Sequence, residues 1–239
     1  MHNLGKLGVT GKPGHAHSFT REAPLRKPPS FEVEERFWRA GLPLVAGVDE
    51  VGRGALAGPL VAAAVVFPPC RRSGPRGVCA QHMGVRDSKL VPPAERVRLL
   101  QIIENSAVDI GVGVVSALEL DDFGLAAANR IAMERAVALL TVPVDALVLD
   151  AFVLDLSIPQ VGIIDADAKC LSVAAASIVA KVARDWMMVE CHTRDPRYGF
   201  HRHKGYGVPS HLAALSAYGP GPAHRRSFAP VANSLLFAR

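Results

Sequence analysis

The chain has 239 residues, of which 49% are hydrophobic, so it can bury one full core, and nothing in it requires a second large domain. No apolar run is long enough to span a membrane, and the first residues lack the continuous apolar stretch of a secretory signal. The four cysteines form no Cys-x-x-Cys pair and have no His at zinc-ligand spacing. This pattern argues against a zinc or redox motif and predicts reduced thiols in a cytoplasmic protein.

The net charge of +5 is unevenly distributed along the chain. Residues 1–40 hold seven Lys or Arg and four acids, and residues 194–239 hold seven and one, which leaves 13 basic and 17 acidic residues between them. An acidic centre between basic ends suits a metal-dependent enzyme that acts on a polyanion. From the charge alone, a solvated basic surface is the simpler interpretation. Residues 1–30 favour a disordered tail over a transit peptide.

In chain order, the predicted elements are five strands and three helices. Short apolar runs predict strands at 44–48, 60–67, 108–115, 146–149 and 161–164. Apolar residues at helical spacing predict helices at 92–103, 124–140 and 172–188. The Arg- and Gly-rich stretch at 70–86 predicts a surface loop.

Acidic residues recur at the ends of these predicted elements. Asp49 and Glu50 follow the first strand, Asp150 ends the fourth, and Asp185 lies on the last helix. Carboxylates gathered at the edge of an apolar scaffold repel each other, so they need a cation, most simply Mg²⁺ or Mn²⁺. Taken alone, each acid could cap a turn or form an ion pair. The small-residue turn directly after Glu50 favours a two-metal site for phosphodiester cleavage.

Several motifs occur in order along the chain. They are Val48-Asp49-Glu50-Val51-Gly52-Arg53-Gly54 with Ala57-Gly58-Pro59, Asp87-Ser88-Lys89-Leu90, residues 129–137, Asp167-Ala168-Lys169 with 172–185, His203-Lys204-Gly205-Tyr206-Gly207, and His224-Arg225-Arg226-Ser227-Phe228. Together they resemble one known family, type 2 ribonuclease H, which in bacteria is ribonuclease HII. The resemblance covers about residues 45–230.

The resemblance implies an α/β, ribonuclease-H-like fold, with a mixed sheet flanked by helices and a small helical C-terminal extension. Together with the composition of the N-terminal stretch, it divides the chain into a basic, disordered tail at 1–40, a catalytic core at 41–193 and a basic helical extension at 194–239. It implies an endonuclease, dependent on Mg²⁺ or Mn²⁺, that cuts the RNA strand of RNA–DNA hybrids. The family also nicks duplex DNA 5′ to an embedded ribonucleotide, leaving 3′-hydroxyl and 5′-phosphate ends. By position, its four metal-binding acids match Asp49, Glu50, Asp150 and Asp185.

The resemblance also implies residues that contact substrate. A ribose is distinguished from a deoxyribose by its 2′-hydroxyl, so the enzyme must contact that group. In the family a glycine-arginine-glycine backbone and a tyrosine do this, which assigns the role to Gly52, Arg53, Gly54 and Tyr206. Lys89, Lys181 and Arg184 are expected phosphate contacts, although solvated Lys and Arg on helices are common. His203, Arg225 and Arg226 are expected to attract the nucleic-acid backbone.

The sequence departs from the family pattern at two places. Ala151-Phe152 follows the third acid, where Gly-Asn is frequent, and Asp165-Ala166-Asp167 stands where Lys-Gly-Asp is frequent. We expect Asp165 to weaken substrate binding or to shift the metal preference. Two other functions stay open: a binding module of this fold without catalysis, and a metal phosphatase on small substrates. We expect a monomer with no membrane partner.

Overall fold

A computed structural model describes residues 28–70, 84–86 and 88–236 of the chain. Its centre is a five-stranded mixed sheet in the order β3-β2-β1-β4-β5. The strands are β1 (Val45–Val51), β2 (Leu60–Val66), β3 (Asp109–Val115), β4 (Ala146–Asp150) and β5 (Gln160–Ile163). β1, β2 and β3 are antiparallel, whereas β4 pairs in parallel with β1 and β5 with β4.

Helices cover both faces of this sheet. They are α1 (Glu34–Arg39), α2 (Pro93–Ser106), α3 (Ala117–Phe123), α4 (Leu125–Ala138), α5 (Leu171–Arg194), α6 (Phe200–His203), α7 (Pro209–Tyr218) and α8 (Ala229–Leu236). Alternate residues of β2 point to opposite faces, so Val61 and Val65 pack towards α2 and α5 while Ala62 and Ala64 pack towards α4. Every residue of β2 is therefore buried, which explains its continuous apolar run.

Small residues let α5 lie very close to β1. A Cβ added to Gly47 would stand 2.2 Å from the backbone carbon of Ser172 and 2.4 Å from the nitrogen of Val173. Helix α5 supplies a run of alanines to the same contact, and Ala174, Ala175 and Ala176 are fully buried. This close approach brings the side chains of α5 next to the acids of β1.

The predicted fold class is confirmed, and the strands and helices predicted along 44–188 all occur in the structure. One difference bears on the site, because β1 continues to Val51 and therefore contains Asp49 and Glu50. Both acids are held by ladder hydrogen bonds rather than by a loop. Helix α3 was not predicted; Ser116 begins it with a capping box to Glu119.

The prediction of a disordered tail over 1–40 is wrong for its last part. Phe31 is buried against Phe67, and Glu34 is 1% exposed in α1. The Glu34 carboxylate accepts hydrogen bonds from the backbone N–H (3.0 Å) and the hydroxyl (2.5 Å) of Ser172, at the first turn of α5. The folded part therefore begins before residue 41. Residues 1–27 lie outside the description, as do 71–83 and Asp87.

The cysteine prediction also needs correction. Cys170 and Cys191 are free thiols, as expected, but Cys70 is disulfide-bonded. Cys79 lies outside the described residues.

After α5 the chain forms the expected small helical extension. Tyr198 and Phe200 pack on Ala57 and Met188, while Leu215 and Val231 pack on Leu56. The extension thus covers the connection between β1 and β2, next to the acids of β1. Within the described residues, no helix is long and apolar enough to cross a membrane.

Candidate active site

Two acids stand side by side on β1 and point in different directions. Asp49 is 7% exposed and is hydrogen-bonded by the Ser177 hydroxyl of α5. Glu50 lies nearer the surface, where the Arg53 guanidinium is 3.4 Å from its Oε1 atom. Because neighbouring side chains on a strand alternate between the faces of the sheet, the pair reaches both sides of its central strand.

A third acid, Asp150, ends the neighbouring strand β4. β1 and β4 are parallel, and Val48 pairs with Leu149, so Asp150 lies beside Asp49 and Glu50 at the same edge of the sheet. The Asp150 Oδ1 atom accepts a hydrogen bond from the backbone N–H of Ala166 at 3.0 Å. This bond ties Asp150 to the short helical turn Ala166–Ala168, which follows β5.

That turn carries a fourth acid, Asp167. It is 8% exposed, and its charge acts on Asp49 across the site. The Lys89 Nζ atom lies 3.8 Å from its Oδ2 atom. The structure therefore groups Asp49, Glu50, Asp150 and Asp167, supplied by two parallel strands and the turn after a third.

Burial and mutual repulsion dominate the electrostatics of this group of carboxylates. Burial, followed by repulsion from Glu50 and Asp167, raises the pKa of Asp49 well above its ordinary value. Burial is also the largest cause that raises the pKa of Glu50; Arg53 opposes it and the charge of Asp150 adds to it. A cation placed among these groups would relieve both the repulsion and the cost of burial.

The donor chemistry fits a hard divalent cation. All four groups are carboxylates, the ligands that Mg²⁺ and Mn²⁺ prefer. As the side chains stand across 28–70, 84–86 and 88–236, no three Asp, Glu, His or Cys residues are already arranged to hold a metal ion. The carboxylates would therefore have to draw together when a cation binds.

The structure does not bring Asp185 into this group. Its carboxylate oxygens contact the Lys181 Nζ atom at 2.6 Å and the Arg96 guanidinium at 3.5 Å. Asp185 lies eight residues beyond Ser177 on α5, which is about 12 Å further along the helix axis. It is an ion-pair partner within the helical layer, so the expectation that it completes the set of four acids has no support in the geometry.

Sequence reasoning missed Asp167 as a member of the group, although a signal was present. Asp167 follows β5, whose neighbour in the sheet is β4. The carboxyl ends of parallel strands meet at one edge, so an acid just after β5 is placed there with Asp150.

The predicted substrate-binding turn, Gly52-Arg53-Gly54, lies directly beside the acids. Gly52 has φ +94°, and a Cβ there would stand 2.2 Å from the Arg184 Nε atom, so this position requires glycine. Arg53 and Gly54 are exposed. The turn therefore presents backbone and one cation to solvent next to the carboxylates.

Two basic residues expected to contact nucleic acid instead hold this turn from below. Arg184 is fully buried and donates to the carbonyl oxygens of Pro59, Lys204 and Ala57 at 2.9, 2.9 and 3.1 Å. Arg225 is also fully buried and donates to Gly58 and Arg53 at 3.0 Å each. A buried guanidinium that binds backbone carbonyls cannot reach a phosphate, so both expectations are wrong for these side chains.

The other predicted contacts differ in their access to a ligand. The Lys181 side chain is 17% exposed and paired with Asp185, whereas the Lys89 side chain is 80% exposed. Tyr206 is half-buried, with the Arg184 guanidinium 5.5 Å from its ring centroid. Tyr206 also lines a cavity with Lys181, Asp185, Trp186 and Lys204. Arg226 is exposed, and His203 is hydrogen-bonded to the Tyr198 carbonyl oxygen at 2.8 Å.

Comparison with known proteins identifies the family. The model of the family described as Ribonuclease HII matches residues 46–231. The chain belongs to the ribonuclease HII family. The matched range contains all four grouped acids, the turn after Glu50 and the Tyr206 segment. It also includes most of the helical extension, so the extension is part of the ribonuclease HII unit.

Relatives of this ribonuclease HII chain cover most of its length. Ribonuclease HII of Geobacillus thermodenitrificans is 48% identical over 202 residues, which are 84% of this chain and 74% of the relative. Ribonuclease HII of Thermus thermophilus is 46% identical over 204 residues, 85% of this chain and 95% of the relative.

Solved structures agree with the fold. Ribonuclease H2 from Pyrococcus horikoshii superposes with a TM-score of 0.62 at 27% identity, covering 80% of this chain and 96% of that chain. Bst-RNase HIII in complex with Mn²⁺ gives a TM-score of 0.61 at 21% identity, covering 82% and 70%. At that identity the second likeness speaks for the fold alone.

Proposed function

We propose that this ribonuclease HII chain is a metal-dependent endonuclease that cleaves the RNA strand of RNA–DNA hybrids. It also nicks duplex DNA 5′ to an embedded ribonucleotide and leaves 3′-hydroxyl and 5′-phosphate ends. The observation that carries the proposal is the group of four carboxylates gathered at one sheet edge from β1, β4 and the turn after β5.

Asp49, Glu50, Asp150 and Asp167 would hold the divalent ions. Mg²⁺ or Mn²⁺ bound there would neutralise the charge that develops on the scissile phosphate and favour the deprotonation of water. The raised pKa values of Asp49 and Glu50 support this assignment, because a nearby cation would favour the ionised form of both groups. The Ala166 N–H bond keeps Asp150 aimed at the group.

The residues beside the acids would select the ribonucleotide. The backbone of Gly52, Arg53 and Gly54 can approach a sugar closely because neither glycine carries a side chain. The Tyr206 hydroxyl would bond the 2′-hydroxyl, the group that distinguishes ribose from deoxyribose. The Arg53 and Lys89 side chains, 54% and 80% exposed, would attract phosphates around this point.

One assay tests the proposal. A labelled DNA duplex with a single ribonucleotide is incubated with Mg²⁺ or Mn²⁺ and with the parent, Asp49→Asn or Asp122→Asn. Asp122→Asn is the matched control, since Asp122 is an exposed acid of α3. We expect a single nick 5′ to the ribonucleotide from the parent and the control, and none from Asp49→Asn.

The other outcomes identify the alternatives. A shift in duplex mobility without cleavage would indicate a binding module, and release of phosphate from small esters without nicking would indicate a phosphatase. The monomeric state and the cytoplasmic location stay predictions from the sequence.

A further inference from the structure

The segment that carries Tyr206 is held by a chain of two buried histidines from the helical extension. His211 of α7 is 0% exposed and His224 is 3% exposed. The His211 Nδ1 atom lies 2.9 Å from the carbonyl oxygen of Tyr206, and the His211 and His224 Nε2 atoms lie 3.1 Å apart. The Gly221 backbone N–H lies 3.0 Å from the His224 Nδ1 atom.

The direction of each hydrogen bond in this series follows from its last member, the backbone N–H of Gly221. The His224 Nδ1 atom lies 3.0 Å from the Gly221 N–H and 3.3 Å from the Gly221 carbonyl oxygen, which already accepts from the His224 backbone N–H. A backbone N–H can only donate, so we assign Nδ1 as the acceptor of the shorter bond and place the ring proton on Nε2. That proton is donated to Nε2 of His211, whose own proton must then be on Nδ1, where it is donated to the Tyr206 carbonyl oxygen. Each ring is neutral and has one tautomer. Burial, which lowers the pKa of both rings, agrees with this state.

A third histidine supports the same segment from its other side. The His203 ring stacks on the His211 ring with centroids 4.5 Å apart and an angle of 15° between the planes. The Gly205 N–H donates to the His203 Nδ1 atom at 3.2 Å, and His203 Nε2 is bonded to the Tyr198 carbonyl oxygen at 2.8 Å. The backbone on both sides of residue 205 is thus fixed by imidazole rings.

The opposite side of this segment contacts the turn beside the acids. The Gly205 carbonyl oxygen accepts from the Leu56 N–H at 2.8 Å, and the Lys204 carbonyl oxygen accepts from Arg184 at 2.9 Å. Arg184 in turn packs directly against Gly52, where a side chain would otherwise stand. The backbone at 204–206 is therefore held between the histidines on one side and the turn beside the acids on the other, and this fixes where the Tyr206 side chain begins.

We infer that His211 and His224 are positioning residues for the recognition of the ribonucleotide. They hold the Tyr206 backbone through the relay Gly221 N–H, His224, His211, Tyr206 C=O, and so set the distance between the tyrosine hydroxyl and the 2′-hydroxyl of the substrate. This inference rests on the proposed function. Neither histidine touches substrate; both act through Tyr206.

The relay predicts that substitution by Asn and by Gln has opposite effects at His211 and at His224. An Asn amide nitrogen occupies about the place of Nδ1 and a Gln amide nitrogen that of Nε2. His211→Asn therefore keeps the donor to Tyr206, and His211→Gln loses it. At the other position, His224→Gln keeps the donor to His211, and His224→Asn loses it.

The experiment measures kcat and KM on a duplex with one ribonucleotide, and Kd for the all-DNA duplex, for these four variants in Mg²⁺. We expect His211→Gln and His224→Asn to lower kcat by about 10- to 100-fold, since a displacement of about 1 Å at a reacting centre costs this much. His211→Asn and His224→Gln should stay within about threefold of the parent. The Kd for all-DNA duplex should not change, because phosphate contacts dominate it.

A second background separates positioning from general damage to the fold. In Tyr206→Ala, none of the four substitutions should lower kcat further, because the group they position is gone. Two results would overturn the inference. One is that the same amide, Asn or Gln, gives the higher kcat at both positions; the other is that the substitutions lower kcat in Tyr206→Ala as much as they do in the parent. Circular dichroism at the assay temperature establishes that each variant is folded. If the variants at one position do not fold, the comparison of Asn with Gln at the other position still tests the inference. A parent that does not nick would refute the proposed function instead.

Discussion

Gly47→Ala tests whether the contact between α5 and β1 is as tight as the structure shows. The added methyl would stand 2.2 Å from the backbone carbon of Ser172, whereas ordinary contacts begin at 3.4 Å. The first turn of α5 would have to retreat by about 1.2 Å, and it cannot do so freely because Glu34 is bonded to it. Overpacking against backbone costs about 3 kcal/mol, which corresponds to a fall in Tm of roughly 6 to 12 °C for a chain of this size.

Thermal unfolding followed by circular dichroism measures this fall. Gly54→Ala is the matched control, since a Cβ at that position meets nothing within 4 Å and its φ is not in the left-handed region. We expect its Tm to stay within about 2 °C of the parent value. If Gly47→Ala had the same Tm as Gly54→Ala, the packing of α5 on β1 would be looser than described.

Three further predictions concern buried and exposed charges around the site. Arg184→Lys should lower the free energy of unfolding, measured by urea denaturation, by about 2 kcal/mol or more. The reason is that one ammonium group cannot satisfy the three carbonyl oxygens that Arg184 binds. The control Arg194→Lys changes an exposed side chain and should leave the free energy of unfolding unchanged. Burial lowers the pKa of His224 from 6.5 to about 4. Between these two pH values only the unfolded chain takes up this proton, so the free energy of unfolding should decrease by up to about 3 kcal/mol as the pH is lowered from 6.5 to about 4. In urea titrations at a series of pH values, the free energy of unfolding of His224→Gln should decrease less steeply with falling pH than that of the parent. The same pH dependence in both proteins would contradict the reasoning. Asp165→Lys should bind a hybrid duplex several times more tightly at low salt, with a difference that shrinks as salt rises; equal affinity would remove any role for the Asp165 charge.

The strands and the large helices could be predicted because their patterns are local. The continuous apolar run of β2 and the helical spacing of α4 each specify one element without reference to the rest of the chain. The first part of the site was equally accessible, since Asp49 and Glu50 adjoin one apolar run and Asp150 ends another.

The remaining errors come from features that depend on tertiary contacts. Asp185 and Asp167 are both acids near apolar segments. The strand order of the sheet places Asp167 beside Asp150, and the position of α5 shows that Asp185 instead pairs with Lys181 and Arg96. Likewise, nothing local marks Arg184 as a residue that binds backbone carbonyls rather than phosphate. Phe31 and Glu34 lie in a basic, proline-containing stretch, and their burial depends on the distant residues Phe67 and Ser172.

The direct test of the site is Mn²⁺ binding, followed by the electron paramagnetic resonance signal of the free ion. The parent, Asp167→Asn and Asp185→Asn are titrated under the same conditions. If Asp49, Glu50, Asp150 and Asp167 form the metal site, Asp167→Asn should weaken Mn²⁺ binding by at least about tenfold, because it removes a charged oxygen ligand, and Asp185→Asn should leave it unchanged. Loss of binding in Asp185→Asn, with binding retained in Asp167→Asn, would contradict the arrangement described.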